Sequence, residues 1–212
     1  MKKILVLASG GFDSSVLIHF MAQKGYEVYP VYVRQGLLWE QAELYWLKKY
    51  LRAYRNRFSR RRLRPLAILD MPAQDIYGSH WSLTGKKIPG YRSRDQRVYL
   101  PGRNILLLSK IAVFGSLAGI HEIALGTLAG NPFADATPKF FNAMEKVLRL
   151  GLKKPFHIHT PFSGLKKREV ARLASGLPLQ FTFSCLKPKG IKSCRRCNKC
   201  REFLEPNLKI FC

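Results

Sequence analysis

The run Ile4-Leu5-Val6-Leu7-Ala8 passes directly into Ser9-Gly10-Gly11-Phe12-Asp13-Ser14-Ser15, and that turn into Val16-Leu17-Ile18. An unbroken apolar run of this length has the pattern of a strand buried on both faces, and such strands belong to parallel sheets covered by helices. A buried strand, a glycine turn and an apolar helix start commit the N-terminal part to a βα unit. The same order builds an anion cradle. Gly10 and Gly11 let the backbone approach a ligand with no side chain between. Ser14 and Ser15 add hydroxyl donors, and the new helix directs its unpaired N–H groups and positive dipole end at the same place. Capping serines in an ordinary corner would use similar residues. The order of the elements and the central Asp13 favour the cradle. Neither a lysine-ended Walker loop nor a Gly-x-Gly-x-x-Gly pattern is present.

The remainder alternates short apolar runs with longer amphipathic ones. Strands are expected at 3–8, 27–33, 66–70, 122–126 and 156–160, and helices at 13–24, 38–56, 103–118, 137–150 and 166–174. Gly25 fits a left-handed helix cap, and Pro138 a first-turn proline. The fold class is therefore α/β: a Rossmann-like open parallel sheet of about five strands flanked by helices. Residues 1–180 form this domain, and 181–212 form a small module packed on it. Residues 72–102 show no clear periodicity and read as a long functional loop.

The chain has 212 residues, 47% of them hydrophobic, which suits one globular unit. Nothing has the pattern of a signal peptide, and no apolar stretch reaches the roughly 18 residues of a membrane span. A cytoplasmic location is the expectation, with no membrane contact. The five cysteines then read as metal ligands rather than disulfides. The net charge is +24. Segment 48–64 carries nine Lys or Arg and no acid, and 185–201 carries seven and no acid. Segment 48–64 is a candidate for contact with RNA or another polyanion, and equally describes a solvated helix face. A homodimer is a candidate assembly.

Cys185, Cys194, Cys197 and Cys200 follow the spacing C-x8-C-x2-C-x2-C. Four thiolates suit a tetrahedral Zn²⁺, and the flanking cations favour the thiolate form. An iron–sulfur cluster is the competing occupant, but Cys212 lies too far along to complete a ferredoxin pattern. Cys212 reads as a residue of a mobile terminus. Mid-chain, Tyr99-Leu100-Pro101-Gly102-Arg103-Asn104 leads into Ile105-Leu106-Leu107-Leu108. The turn delivers Arg103 and Asn104 to a helix start, where an arginine fork clamps phosphate or carboxylate; Asn104 also fits as a plain helix cap.

Ser-Gly-Gly-x-Asp-Ser resembles the PP-loop signature of the N-type ATP pyrophosphatases. Together with Leu100-Pro101-Gly102-Arg103-Asn104, His159-Thr160-Pro161 and the four-cysteine tail, it resembles the ExsB-like 7-cyano-7-deazaguanine synthases over nearly the whole chain. That resemblance implies an ATP-dependent carbon–nitrogen ligase. It would convert 7-carboxy-7-deazaguanine and ammonia into the nitrile, through activated acyl and amide stages, in queuosine or related biosynthesis. It implies ATP, Mg²⁺ and Zn²⁺ as cofactors. Leu7, Ala8, Ser9, Gly10, Gly11, Phe12, Asp13, Ser14, Ser15, Arg103 and Asn104 would bind the nucleotide, with Asp13, Ser14 and Arg103 catalytic. The zinc module would be structural.

Two segments depart from the family. Arg34-Gln35-Gly36-Leu37-Leu38-Trp39-Glu40 stands where relatives carry a histidine-containing segment. Gly126 to Asp135 stands where they carry base-reading Ser-Gly-Tyr-Pro-Asp elements, and Asp135 is the candidate to read a guanine-like edge. A PP-loop tRNA-modifying enzyme of thiolase type is an alternative, weakened because all five cysteines fall after residue 184. A non-catalytic nucleic-acid-binding relative is another. Trp39, Tyr45 and Trp46 read as core or interface ahead of a base-stacking platform, His80-Trp81 as a surface turn ahead of the lining of a purine pocket, and His19 and His121 as ordinary helix and helix-end residues. His157 and His159 share a strand face with no visible partner.

Overall fold

The computed structural model describes residues 1–58 and 62–204. Residues 59–61, within the basic segment, and Cys212 lie outside the described residues. Strands β1 (Lys3–Leu7), β2 (Glu27–Arg34), β3 (Ala67–Asp70), β4 (Glu122–Ala124) and β5 (His157–His159) form one sheet in the order β3-β2-β1-β4-β5. Every pairing is parallel. The chain starts at the central strand, steps outward to β3, and returns across the sheet to add β4 and β5. The strand order thus reverses between β1 and β4, and open α/β sheets bind ligands beyond the carboxyl ends of strands at such a switch. Ser9 to Ser15 follow β1 at that place.

The helices are α1 (Phe12–Gln23), α2 (Glu40–Arg57), α3 (Gln74–Tyr77), α4 (Trp81–Thr84), α5 (Arg103–Ala118), α6 (Pro138–Leu152), α7 (Lys167–Arg172) and α8 (Asn198–Leu204). The five strands and the five helices anticipated from the sequence, here α1, α2, α5, α6 and α7, are all present with ends shifted, and α8 within the cysteine tail is additional. Thr137 caps α6 by accepting from the Phe140 N–H at 3.1 Å, with Pro138 in the first turn. Gly25 (φ +89°) ends α1 and donates to the Ala22 carbonyl at 3.1 Å. The stretch 72–102 is not one irregular loop. It holds α3, α4 and the 3₁₀ turn Asp95–Val98, each a single turn and too short for a helical period to register.

Alternation along β1 divides the core in two. Ile4 and Val6 pack with Leu17, Leu47, Tyr50 and Val170, from α1, α2 and α7. Leu5 packs on the opposite face with Leu108, Ile111, Ile123 and Phe141, joining α5 and α6 to the sheet. Helix α1 is apolar on almost every side, and Phe12, Val16, Leu17, Ile18, Met21 and Ala22 are all buried. A helix can carry that pattern only when it is covered on both sides. Truncating Leu17 to Ala is expected to cost about 2–5 kcal/mol, since nothing around it can collapse into the gap.

A third cluster caps the carboxyl edge. Leu37, Trp39, Ala42, Val98 and Leu100 pack with Phe183, Cys185, Leu186, Cys197 and Cys200. Trp46 adds a hydrogen bond from its indole N–H to the Ile191 carbonyl at 2.8 Å. The cysteine tail is therefore bound to the beginning of α2, beside the turn that follows β1.

Candidate active site

The turn after β1 is laced by its own serines. The Ser9 N–H donates to Ser14 Oγ at 3.2 Å, Ser14 Oγ contacts the Gly11 carbonyl at 3.1 Å, and the Gly11 N–H donates to Ser9 Oγ at 3.3 Å. Gly10 has φ +77°, and a Cβ there would lie 3.0 Å from the Glu43 carbonyl oxygen. Only glycine lets the turn press onto α2 in this way. The Gly10 carbonyl in turn accepts from the Phe183 N–H of the tail at 2.8 Å. Gly11 occupies the cap position of α1 with no side chain bonded there, so the first-turn N–H groups are left for a ligand.

Ser9, Gly11, Phe12, Asp13 and Ser14 line a cavity of about 330 Å³ with Trp39, Glu43, Trp81, Arg103, Asn104, Gly126, Thr127, Lys167, Lys199 and Glu202, while Gly10 and the fully buried Ser15 do not reach it. A larger cleft of about 590 Å³ opens near His19, Tyr54 and Phe58, remote from the turn after β1 and without its converging N–H groups. The smaller cavity is therefore the candidate site.

Asp13 is half-buried, and its Oδ1, shielded from solvent, has no hydrogen-bond partner. Burial raises its pKa, and the nearby Lys167 and Lys199 oppose that rise. Gly126, just after β4, closes on it from the other side of the switch. A Cβ at Gly126 would stand 3.2 Å from the Asp13 carbonyl carbon and oxygen. Thr127 Oγ1 is a second buried and unpartnered oxygen lining the cavity. An orphaned carboxylate oxygen beside a phosphate cradle fits a hard divalent cation such as Mg²⁺.

Arg103 opens α5 behind Gly102, and its Nε donates to Gln35 Oε1 at 2.8 Å. Gln35 is itself held, its backbone N–H donating to Glu40 Oε1 at 2.5 Å while the Gly36 N–H donates to Oε2 at 2.9 Å. One turn further along α2, Glu43 accepts from the Tyr32 hydroxyl at 2.8 Å. Burial pushes the Glu43 carboxyl up to about 8, against the pull of Arg103. The segment Arg34 to Glu40 thus supplies the support for Arg103.

Asn104 and Asp135 meet. The Asn104 N–H donates to Asp135 Oδ2 at 2.9 Å, and its side-chain amide donates to the Asp135 carbonyl at 2.7 Å. The Asp135 carboxylate is buried at the start of α5 and satisfies an unpaired helix N–H. Asn104 itself lines the cavity but does not cap the helix. Trp39 sits just before α2 and stacks on Trp81, with ring centroids 5.7 Å apart, and both face the cavity. His157 pairs with Arg149, and His159 with Glu122, outside the cavity.

The four tail sulfurs of Cys185, Cys194, Cys197 and Cys200 lie within 4.8 Å of one another. Contacts of 3.5 Å and 3.9 Å join Cys200 to Cys197 and Cys194. A tetrahedron of sulfurs about 2.3 Å from zinc has edges of about 3.8 Å, so the set fits Zn²⁺. Backbone N–H groups of Leu186 and Cys194 point at Cys197 and Cys185 at 3.3 and 3.2 Å, which suits thiolates.

Tyr32, Gln35, Glu43, Thr127, Lys167, Lys199 and Glu202 were not foreseen as site residues. Each reads locally as part of a strand, a helix face or a charged tail, and only the topology gathers them.

The second half of α2 carries the basic segment. With residues 63–66 it walls a groove of about 480 Å³ lined by Lys48, Arg52, Arg55 and Arg64, with no acid among the lining residues. No described helix is long and apolar enough to cross a membrane.

Comparison with known proteins agrees with this geometry. Residues 3–205 match the family model described as "Queuosine biosynthesis protein QueC". The 7-cyano-7-deazaguanine synthase 1 of Desulfitobacterium hafniense is 31% identical over 94% of this chain and 89% of its own length. The 7-cyano-7-deazaguanine synthase of Thermoplasma volcanium is 31% identical over 94% of this chain and 84% of its own. Among solved structures, a 4-thiouridine synthetase–RNA complex with bound ATP superposes with a TM-score of 0.56 at 19% identity, covering 98% of this chain and 50% of that one. A predicted tRNA methyltransferase subunit from Methanocaldococcus jannaschii gives 0.54 at 16%, covering 82% and 75%. The two superpositions speak to the fold alone. On its sequence, its sheet order and its cysteine cluster, this chain belongs to the QueC family of queuosine biosynthesis proteins.

Proposed function

We propose that the protein is an ATP-dependent ligase that adenylates 7-carboxy-7-deazaguanine and, with ammonia, turns the carboxylate into a nitrile. The observation that carries this is the placement of the Ser9–Ser15 turn, the orphaned Asp13 carboxylate and two lysines in one cavity at the topological switch.

A carboxylate oxygen attacks the α-phosphorus of ATP, giving an acyl adenylate and pyrophosphate. Ammonia displaces AMP, leaving a primary amide and releasing a proton. The amide oxygen then attacks the α-phosphorus of a second ATP, releasing a second pyrophosphate, and loss of AMP and two protons gives the nitrile. Ser9, Gly11 and Ser14 would hold the departing pyrophosphate through N–H and hydroxyl donors, with Gly10 and Ser15 shaping the turn from behind and the backbone of Leu7, Ala8 and Phe12 flanking it. Asp13 would hold Mg²⁺, which supplies charge neutralisation on the phosphates. Arg103, fixed by Gln35, faces the charge that grows on the transferring phosphoryl or acyl oxygen. Asn104 borders the nucleotide. Trp39 and Trp81 offer a flat wall for a purine-like ring. Asp135 stands behind α5 and orients Asn104, with its carbonyl and one carboxylate oxygen engaged. A base-reading role for Asp135 would use its other oxygen. Zn²⁺ held by the tail cysteines would be structural. Contact with RNA or another polyanion belongs to the basic groove beside α2.

The experiment is direct. Protein incubated with ATP, Mg²⁺, ammonium and 7-carboxy-7-deazaguanine is expected to form the nitrile, read by mass spectrometry. Folded, ATP-binding protein that yields none contradicts the proposal.

A further inference from the structure

The motif Cys197-Asn198-Lys199-Cys200 does more than hold sulfur. Cys197 and Cys200 turn into the cysteine cluster. Asn198, fully buried, donates its side-chain amide to the Ser93 carbonyl at 2.7 Å and to Asp95 Oδ1 at 3.0 Å, while its backbone N–H donates to the Pro89 carbonyl at 3.1 Å. Arg201 pairs with Asp95 at 3.0 Å. With its neighbours committed to the cluster and to segment 89–95, Lys199 is left to project into the nucleotide cavity, which it lines. Its Nζ lies 2.7 Å from Glu202 Oε1, and the Nζ of Lys167 lies 3.9 Å from Oε2 of the same carboxylate. Two ammonium groups from two different elements therefore meet beside Asp13.

The charge balance of the cavity gives this meeting a purpose. Its lining carries three cations, Arg103, Lys167 and Lys199, against the acids Asp13, Glu43 and Glu202. A nucleoside triphosphate brings several negative charges, and N–H and hydroxyl donors alone leave them uncompensated. We propose that Lys199, borne by the cysteine module, and Lys167 at the start of α7 together bind the terminal phosphates of the nucleotide. Glu202 holds the pair in place, its carboxylate accepting from Lys199 at 2.7 Å and its backbone carbonyl from Lys167 at 3.5 Å. The module is then a phosphate-binding arm as well as a scaffold, and metal occupancy at the cysteines sets where Lys199 stands. This inference rests on the adenylating reading above.

Calorimetric titration of the metal-loaded protein with pyrophosphate, ATP and AMP separates the two. Lys199→Ala and Lys199→Gln are expected to weaken pyrophosphate and ATP binding by about tenfold or more, as loss of a charge-assisted contact does, with AMP binding changed less than about twofold. Metal content by elemental analysis stays at the wild-type level, and Lys199→Arg recovers most of the affinity. Lys187→Ala, the same charge change outside the cavity, leaves pyrophosphate binding unchanged. Removing the metal from wild-type protein with a chelator lowers pyrophosphate affinity by a similar factor and no longer adds to Lys199→Ala. Unchanged pyrophosphate affinity in both Lys199 variants, with wild type binding ATP normally, overturns the lysine clamp alone. Wild-type protein that binds neither ATP nor pyrophosphate overturns the adenylating reading and the clamp with it.

Discussion

The Tyr32 hydroxyl donates to the Glu43 carboxylate at 2.8 Å, joining strand β2, next to the central strand, to the first turns of α2 at the wall of the candidate cavity. Burial holds the Glu43 pKa up to about 8. In the unfolded chain it ionises near the ordinary glutamate value, so between that value and about 8 the folded state keeps a proton that the unfolded state has released. Stability must therefore fall as pH rises through this window. Glu43→Gln is expected to flatten that fall. Its unfolding midpoint should exceed wild type by about 5 °C near pH 8.5 and converge with it near pH 4. Thermal unfolding across the range checks this; parallel wild-type and variant profiles would contradict it.

Asp13 presents the opposite bargain between stability and activity. Its Oδ1 is buried and unpartnered, so the carboxylate costs the fold while serving a ligand. Asp13→Asn is expected to leave the unfolding midpoint equal or higher, to leave tail metal unchanged, and to slow ATP–pyrophosphate exchange by about 100-fold or more. Exchange at the wild-type rate would remove Asp13 from the chemistry.

Metal held by the tail cysteines would support the carboxyl edge of the sheet. Cys185, Cys197 and Cys200 share their cluster with Trp39, Val98 and Leu100, and Phe183 locks Gly10. Cys197→Ser should lose the metal, lower the unfolding midpoint by at least about 5 °C and weaken ATP binding together. One zinc per chain and no visible absorbance band are expected; iron with such a band would change the occupant.

The basic groove of Lys48, Arg52, Arg55 and Arg64 lies along the second half of α2, while the first turns of that helix border the nucleotide cavity. Arg52→Glu with Arg55→Glu should reduce binding to a labelled RNA and shallow its salt dependence by about two units of log–log slope. Turnover of the free base should not change. Unaltered RNA affinity would leave the charge as a solvated face.

Much of this was legible along the chain. β1 and the Ser9–Ser15 turn are local features, and so are the cysteine spacings and the Arg103 turn. What was hidden depends on distance. Glu43 has the local look of a solvated helix residue, and Lys199 that of one more cation in a basic tail. Only the β1–β2–α2 crossover and the folding back of the tail bring them to Asp13. Asp135 illustrates the same limit. Its carboxylate meets the Asn104 N–H across 31 positions, a helix-capping role that no short-range pattern announces. Helices α3 and α4 went unseen because one turn has no period.

The central claim is that a carboxylate oxygen attacks phosphorus, and its fate can be followed. Substrate carrying oxygen-18 in both carboxylate positions, turned over with ATP and ammonium, is expected to yield unlabelled pyrophosphate and nitrile. Each AMP released, from the acyl and from the amide stage, should carry one labelled oxygen, read by mass spectrometry. Nitrile formed with unlabelled AMP, or with ADP and labelled phosphate, would contradict adenylation.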